Sequence, residues 1–102
     1  AKIWFVTSRP KELAGITQNW LDNNGFGKGT LLMAGKEKFD MIWALNPSLV
    51  IDDLPDIFDK CVEAQIPCLL VAQEWNRQCD TAYRVDNIAY LDEKMLQLGL
   101  EL

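Results

Sequence analysis

Polar side chains that could bind phosphate and a metal ion follow two apolar runs, at residues 2–6 and 49–51. Hydroxyl groups, arginine and the N–H groups that open a helix are common ligands of phosphate oxygens. Paired carboxylates suit Mg²⁺, which prefers oxygen ligands and keeps several of its waters. The phosphate-binding candidates are Thr7, Ser8 and Arg9, and the metal-binding candidates are Asp52 and Asp53.

Helix capping is an alternative explanation for both groups. Ser8 and Arg9 precede Pro10, a residue suited to the first turn of a helix. Asp53 lies just before Pro55, and aspartate is favoured at the N-cap position. Each group alone fits a cap, whereas their joint placement at the ends of two strands favours a binding site.

The residue types that are missing exclude several chemistries. The chain has no histidine, which excludes Ser-His and Cys-His nucleophilic sites and zinc sites that use histidine. Its cysteines, Cys61, Cys68 and Cys79, form no Cys-x-x-Cys pair. Cys61 lies in a helical pattern and Cys68 opens an apolar strand, so both are expected to be small core residues in a reducing cytosol. We therefore expect a cytoplasmic protein.

Length and charge limit the domain count and the partners. A chain of 102 residues can bury one core, so we expect a single domain over residues 1–102. The formal charge of −5 argues against nucleic acid as a partner, because nucleic-acid binding needs a basic stripe. A run of about 18 apolar residues, which a membrane helix requires, is missing, so we expect no membrane association.

Strands and helices alternate along the sequence. Strands are expected at residues 2–6, 30–34, 49–51 and 68–72, with helices over about 10–23, 36–45 and from 55 onward. A short extended piece is expected at residues 83–85, and Asp86 or Asn87 is expected to cap a last helix that runs to about residue 98. Strands joined by such helices run parallel, with right-handed crossovers. We predict a Rossmann-like, three-layer α/β sandwich with a four-stranded parallel sheet of order 2-1-3-4. Thr7 and Asp52 would then face each other where the strand order reverses, which is where such sheets bind ligands.

Several short motifs resemble, in order and spacing, those of the haloacid-dehalogenase-like (HAD) phosphatases of the nucleotidase type. They are Phe5–Pro10 with Thr17–Leu21 and Asn24–Phe26, then Pro47–Asp53, then Ile66–Val71 with Trp75–Arg77, together extending over roughly residues 2 to 78. The resemblance implies an HAD-like fold in which Thr7 and Lys38 bind phosphate, with Lys36 as the alternative lysine. It also implies that Asp52 or Asp53 reaches a magnesium ion.

The nucleophile of the HAD enzymes is missing from the sequence. In the family it is an aspartate of an Asp-x-Asp pair, on a strand that lies between the strands corresponding to residues 2–6 and 49–51. No Asp-x-Asp pair occurs at a strand end here. Without the nucleophile the covalent route is closed, although phosphate and magnesium could still bind.

We therefore expect a non-catalytic HAD-like domain that binds a protein partner or a small phosphorylated ligand, for example a phage-encoded regulator of a host protein. Trp75 and Arg77 are the candidate partner-binding residues, because both types are enriched at binding hot spots. No cofactor is required, although Mg²⁺ could bind. We expect Trp75 to be partly exposed, and Trp4, Trp20 and Trp43 to lie largely in the core.

Two alternatives stay open. One is a magnesium-dependent phosphohydrolase of the nucleotidase type, whose nucleophile strand is missing from this sequence or supplied by another chain; adding a strand to a sheet is physically feasible. The other is an unrelated doubly wound domain, either receiver-like or nucleotide-binding. A receiver would need an acidic pair after its first strand, where this chain has Thr7 and Ser8.

Overall fold

A computed structural model describes residues 2–99, with only the backbone described at Ile88. The chain divides into two compact units, the first ending at Asn46 and the second beginning at Pro47. Each unit is an α/β arrangement and is described by itself. Among the described helices, none is both long and apolar enough to cross a bilayer.

The first unit contains two strands and two helices. They are β1 (Trp4–Thr7), α1 (Ala14–Asn23), β2 (Thr30–Met33) and α2 (Lys38–Leu45), with short 3-10 turns at Lys11–Leu13 and Gly35–Glu37. The strands β1 and β2 form a parallel pair in which Thr7 lies opposite Met33. A Cβ atom at Gly29 would collide with the ring of Phe5, so the turn into β2 requires glycine. Asn46 ends α2 in the left-handed conformation, with φ of 48°.

The second unit contains three strands and two helices. They are β3 (Val50–Asp52), α3 (Pro55–Glu63), β4 (Cys68–Val71), β5 (Arg84–Val85) and α4 (Leu91–Leu98), with 3-10 turns at Glu74–Asn76 and Ile88–Tyr90. The strands form a parallel sheet of order β3-β4-β5. Pro55 starts α3 at a position where its missing N–H costs nothing.

The core of the second unit covers both faces of β4, whose Cys68, Leu69 and Leu70 are all buried. Leu69 packs with Val85 and Met95. The helix α3 contributes its buried face of Ile57, Phe58 and Cys61. A strand covered on both faces explains why this run of the sequence is continuously apolar.

The predicted four-stranded sheet of order 2-1-3-4 is wrong. The chain forms two separate sheets, one of β1 and β2 and one of β3, β4 and β5, and the predicted pairing of the first and third strands does not occur. Strands that are neighbours in sequence do pair in parallel, as expected. The strand β3 has only three residues, and all three pair with β4. The short segment Arg84–Val85, expected as an extended piece, adds a strand to β4. The single-domain assignment stays a prediction.

The tryptophan predictions are correct in part. Trp75 is 60% exposed, as expected, whereas Trp20 and Trp43 are 57% and 61% exposed and so are not core residues. Trp20 stacks on Phe26 with ring centroids 6.3 Å apart, so a neighbouring aromatic ring supplies its packing. Trp43 lies on α2, a helix that is apolar on most sides and in which only Ile42 is buried. A pattern without a polar face does not indicate which side of a helix packs inward.

Candidate functional site

The exit of β1 holds Thr7 and Arg9 in a short hydrogen-bonded turn. The Thr7 hydroxyl oxygen accepts the N–H of Arg9 at 3.2 Å. The Arg9 guanidinium donates to Thr17 Oγ1 at 3.0 Å, and that hydroxyl donates to the carbonyl of Leu13 at 2.8 Å. Arg9 is therefore anchored to α1, and Ser8 beside it is exposed.

Helix capping does not account for Ser8. The N-cap residue of the 3-10 turn is Pro10 and that of α1 is Leu13, and neither end has a side-chain capping hydrogen bond. The hydroxyl of Thr7 closes a turn ahead of both helix starts. The polar residues at this strand end are therefore not helix caps and stay phosphate-binding candidates.

The two candidate lysines follow the end of β2, the strand that pairs with β1. The N–H of Ala34 donates to the carbonyl of Thr7 at 2.8 Å, so the chain leaves β2 beside the exit of β1. Lys36 lies in the following 3-10 turn and is exposed, and Lys38 begins α2 and is half-buried. The first unit thus places Thr7 and both lysines after the carboxyl ends of neighbouring parallel strands.

The exit of β3 holds Asp52 and Asp53, which differ in environment. Asp52 is only 8% exposed, and its Oδ1 accepts the N–H of Leu54 at 2.9 Å. Leu54, not Asp53, is the N-cap residue of α3. Asp52 therefore closes the turn into the helix with one oxygen, and Asp53 is half-buried.

Asn76, in the loop after β4, binds the backbone of both strand exits. Its Nδ2 donates to the carbonyls of Asp53 at 2.8 Å and Val71 at 2.7 Å. Its Oδ1 accepts the N–H of Gln73 at 2.9 Å and Nη2 of Arg84 at 3.4 Å. Asn76 is 1% exposed, and its amide uses both donors and both acceptor positions.

Trp75 reinforces the same contact from the surface. Its indole N–H donates to the Asp53 carbonyl at 3.1 Å, so that carbonyl accepts two hydrogen bonds from the loop after β4. Arg77 instead pairs with Glu74 at 3.4 Å, and both side chains are largely exposed. An open depression is lined by the loop residues Glu74, Trp75, Asn76, Arg77, Gln78 and Cys79.

The thiol of Cys61 lies in the core close to the metal-binding candidates. Burial raises its pKa above the ordinary value of 9.0, and the charge of Asp52 raises it further, while a hydrogen bond with Cys68 acts in the opposite direction. Cys61 is 0% exposed. It is therefore a protonated core residue at neutral pH, in agreement with its predicted structural role.

The carboxylates of Asp52 and Asp53, at the end of β3, are the type of ligand that magnesium prefers, but two carboxylates make a small site. Within residues 2–99, no group of three or more histidine, cysteine, aspartate or glutamate side chains could hold a metal ion. Mg²⁺ commonly binds through one or two carboxylates and keeps waters or phosphate oxygens as its other ligands. Asp52 and Asp53 can supply that number.

The site residues predicted from sequence fall into two groups. The structure brings Thr7, Ser8, Arg9 and Lys38 to adjoining strand ends in the first unit, and Asp52, Asp53 and Trp75 to adjoining strand ends in the second. Asn76 was missed. The sequence offered only its place between the two partner-binding candidates, because composition alone does not distinguish a buried asparagine from an exposed one in a polar loop.

Comparison with known proteins gives one weak similarity. The chain is 27% identical over 88 residues to a protein named "Putative nucleotidase OB0422" from Oceanobacillus iheyensis. The match covers 82% of the chain but 47% of that protein, so the chain spans about half the length of the relative. No family model and no solved structure matches. The similarity agrees with the nucleotidase-like resemblance at a coarse level.

Proposed function

We propose that the chain is a nucleotidase-like HAD unit that binds a phosphorylated ligand and Mg²⁺ without a nucleophile of its own. The similarity to the Oceanobacillus iheyensis protein, over 82% of the chain, carries this proposal. Thr7, Ser8, Arg9 and Lys38 hold the phosphate, and Asp52 and Asp53 hold the metal ion.

The arrangement at the end of β1 supports the phosphate part. The turn that ends in Arg9 fixes the Thr7 hydroxyl at a strand end, and the neighbouring strand β2 leads directly to Lys36 and Lys38. Parallel sheets bind ligands beyond the carboxyl ends of their strands, so these residues lie where a ligand is expected.

A substitution in this turn tests the phosphate part. Inorganic phosphate is titrated into the 102-residue chain and followed by amide NMR shifts. Thr7→Val keeps the side-chain shape and removes the hydroxyl, and we expect phosphate affinity to fall about tenfold, the equivalent of one hydrogen bond to a charged group.

Thr81→Val is the matched control, because Thr81 Oγ1 accepts the N–H of Tyr83 at 3.3 Å in the same kind of turn. Its affinity for phosphate should equal that of the wild type. Equal affinities in all three proteins, or no phosphate binding by the wild type, would refute the assignment of Thr7.

Two unpaired strand edges favour a phosphohydrolase as the second candidate. The carbonyls of Ile3 and Thr7 accept hydrogen bonds from the first residue of β2 and from the residue just after its end. The alternating N–H groups of Trp4 and Val6 therefore face the other edge of β1. The N–H of Val50 donates towards β4, so Ile51 faces the other edge of β3. In the described chain no strand pairs at either edge. These are the edges where the resemblance puts the nucleophile strand.

The in-frame sequence that precedes this chain in its gene distinguishes the two candidates. An apolar run ending in Asp-x-Asp would favour the phosphohydrolase, with the nucleophile strand in the same polypeptide. A start codon immediately before Ala1 would favour the non-catalytic protein, including a regulator of the kind that a phage encodes.

Partner binding through the loop after β4 belongs to the non-catalytic proposal. Trp75 exposes 60% of its surface, and the Arg77 side chain beside it is 71% exposed. Exposed tryptophan and arginine are typical of binding hot spots. We propose this pair as the contact surface for a protein partner, in a protein that acts in the cytoplasm.

A further inference from the structure

Trp75 and Asn76 both bind one backbone oxygen, the carbonyl of Asp53, from a different loop. The distances are 3.1 Å from the indole nitrogen and 2.8 Å from the side-chain amide nitrogen. The bonds span 22 and 23 residues of sequence, so they fix the exit of β3 to the exit of β4. We call these two hydrogen bonds the Asp53 clamp.

One of the two residues of the clamp, Asn76, is buried, and its side-chain amide makes all of its possible hydrogen bonds. The β3–β4 ladder begins with the N–H of Val50 bound to the carbonyl of Pro67 at 2.8 Å. Since β3 ends at Asp52, the carbonyl of Val71 takes its hydrogen bond from the Asn76 amide at 2.7 Å. The same amide group continues to Asp53, so any shift of Asn76 would disturb both strand ends together.

The Asp53 backbone has little freedom between its neighbours. On one side, Asp52 Oδ1 holds the N–H of Leu54 at 2.9 Å, and α3 begins directly afterwards at Pro55. On the other side, β3 is held in register with β4. The clamp fixes the remaining peptide group between these two points, and with it the backbone position from which the Asp53 side chain extends.

We infer that Trp75 and Asn76 are positioning residues for the Asp53 carboxylate and set the affinity of the β3 exit for Mg²⁺. The metal part of this inference rests on the proposed function. A carboxylate carried on a fixed backbone loses less freedom when it binds a metal ion than one on a mobile loop, so residues that hold its backbone are expected to raise metal affinity.

Trp75→Phe is the primary test, because it removes the indole N–H and keeps an aromatic ring. The 102-residue chain is titrated with Mg²⁺ alone by isothermal titration calorimetry. We expect affinity to fall about 2- to 10-fold, the equivalent of one neutral hydrogen bond, with only the small drop in thermal midpoint that the loss of one hydrogen bond causes. Trp43→Phe is the matched control: Trp43 is 61% exposed, against 60% for Trp75, and lies on α2 in the first unit. It should leave affinity unchanged.

A second measurement does not depend on the metal. Amide hydrogen exchange at Leu54 reports on the turn that Asp52 closes. Faster exchange at Leu54 in Trp75→Phe, with Trp43→Phe like the wild type, supports the clamp. Unchanged exchange together with unchanged Mg²⁺ affinity overturns it. Absence of Mg²⁺ binding by the wild type overturns the metal part of the proposed function, and the exchange at Leu54 then decides the clamp alone.

Discussion

Replacing Asn76 by leucine should destabilise the second unit strongly. Leucine keeps a similar shape but offers no donor or acceptor. Asp53 retains the hydrogen bond from Trp75, whereas the Val71 carbonyl and the Gln73 N–H lose the partners that Asn76 provides at 2.7 and 2.9 Å. A fully buried polar group left without a partner costs about 1–3 kcal/mol, and because these two hydrogen bonds are only partly buried, the expected loss is about 2 kcal/mol of unfolding free energy.

Urea denaturation followed by far-UV circular dichroism measures this loss. Gln78→Leu is the control, since Gln78 lies in the same loop and is exposed; its effect should stay within about 0.5 kcal/mol. With total stabilities of about 5–15 kcal/mol, the Asn76 variant should remain largely folded at low temperature. A loss below about 1 kcal/mol for Asn76→Leu would refute the argument that this amide holds the two strand exits together.

Three further predictions concern the thiol, the indole and catalysis. Burial raises the pKa of Cys61 in the folded state above its ordinary value of 9.0. The stability that this shift contributes is present below pH 9.0 and is lost as the pH rises through the raised pKa. In urea titrations at rising pH, the free energy of unfolding should therefore decline less for Cys61→Ala than for the wild type. Trp75→Ala should cost about 0.5–1.5 kcal/mol, one hydrogen bond, in thermal or urea unfolding, and a loss of about 3 kcal/mol or more would place Trp75 in the core. The purified 102-residue chain should not hydrolyse p-nitrophenyl phosphate or nucleoside monophosphates with Mg²⁺; turnover that Asp52→Asn abolishes would contradict the non-catalytic proposal.

The elements of the fold could be predicted because their signals are local. A continuous apolar run predicts the strand Cys68–Val71, and Pro55 marks the start of α3. The pairing of β1 with β2 and of β3 with β4 follows from parallel crossovers between neighbouring segments. The sheet order does not follow from such signals, because it depends on which backbone edges meet, and an apolar strand has the same composition at an edge as at the centre.

The candidate site was predictable only where chemistry coincides with a strand end. Thr7 and Asp52 follow apolar runs directly, and each side chain accepts a hydrogen bond from the N–H group two residues later in the sequence. The contact of Asn76 with Asp53 spans 23 residues and depends on burial, so no sequence spacing indicates it. The exposure of Trp43 was missed for the related reason that α2 lacks a polar face to contrast with its buried side.

Binding a phosphate or a metal ion and transferring a phosphoryl group require different residues. Within each unit, the described residues place polar or charged side chains after parallel strands, the arrangement on which the proposed binding of phosphate and Mg²⁺ depends. Covalent phosphoryl transfer needs, in addition, a nucleophile aligned with the bound phosphate. In the described chain no strand pairs with the second edge of β1 or of β3, and natural proteins usually protect such edges. A strand that paired with either edge would satisfy the backbone groups there, and in the phosphohydrolase proposal that strand would also carry the nucleophile.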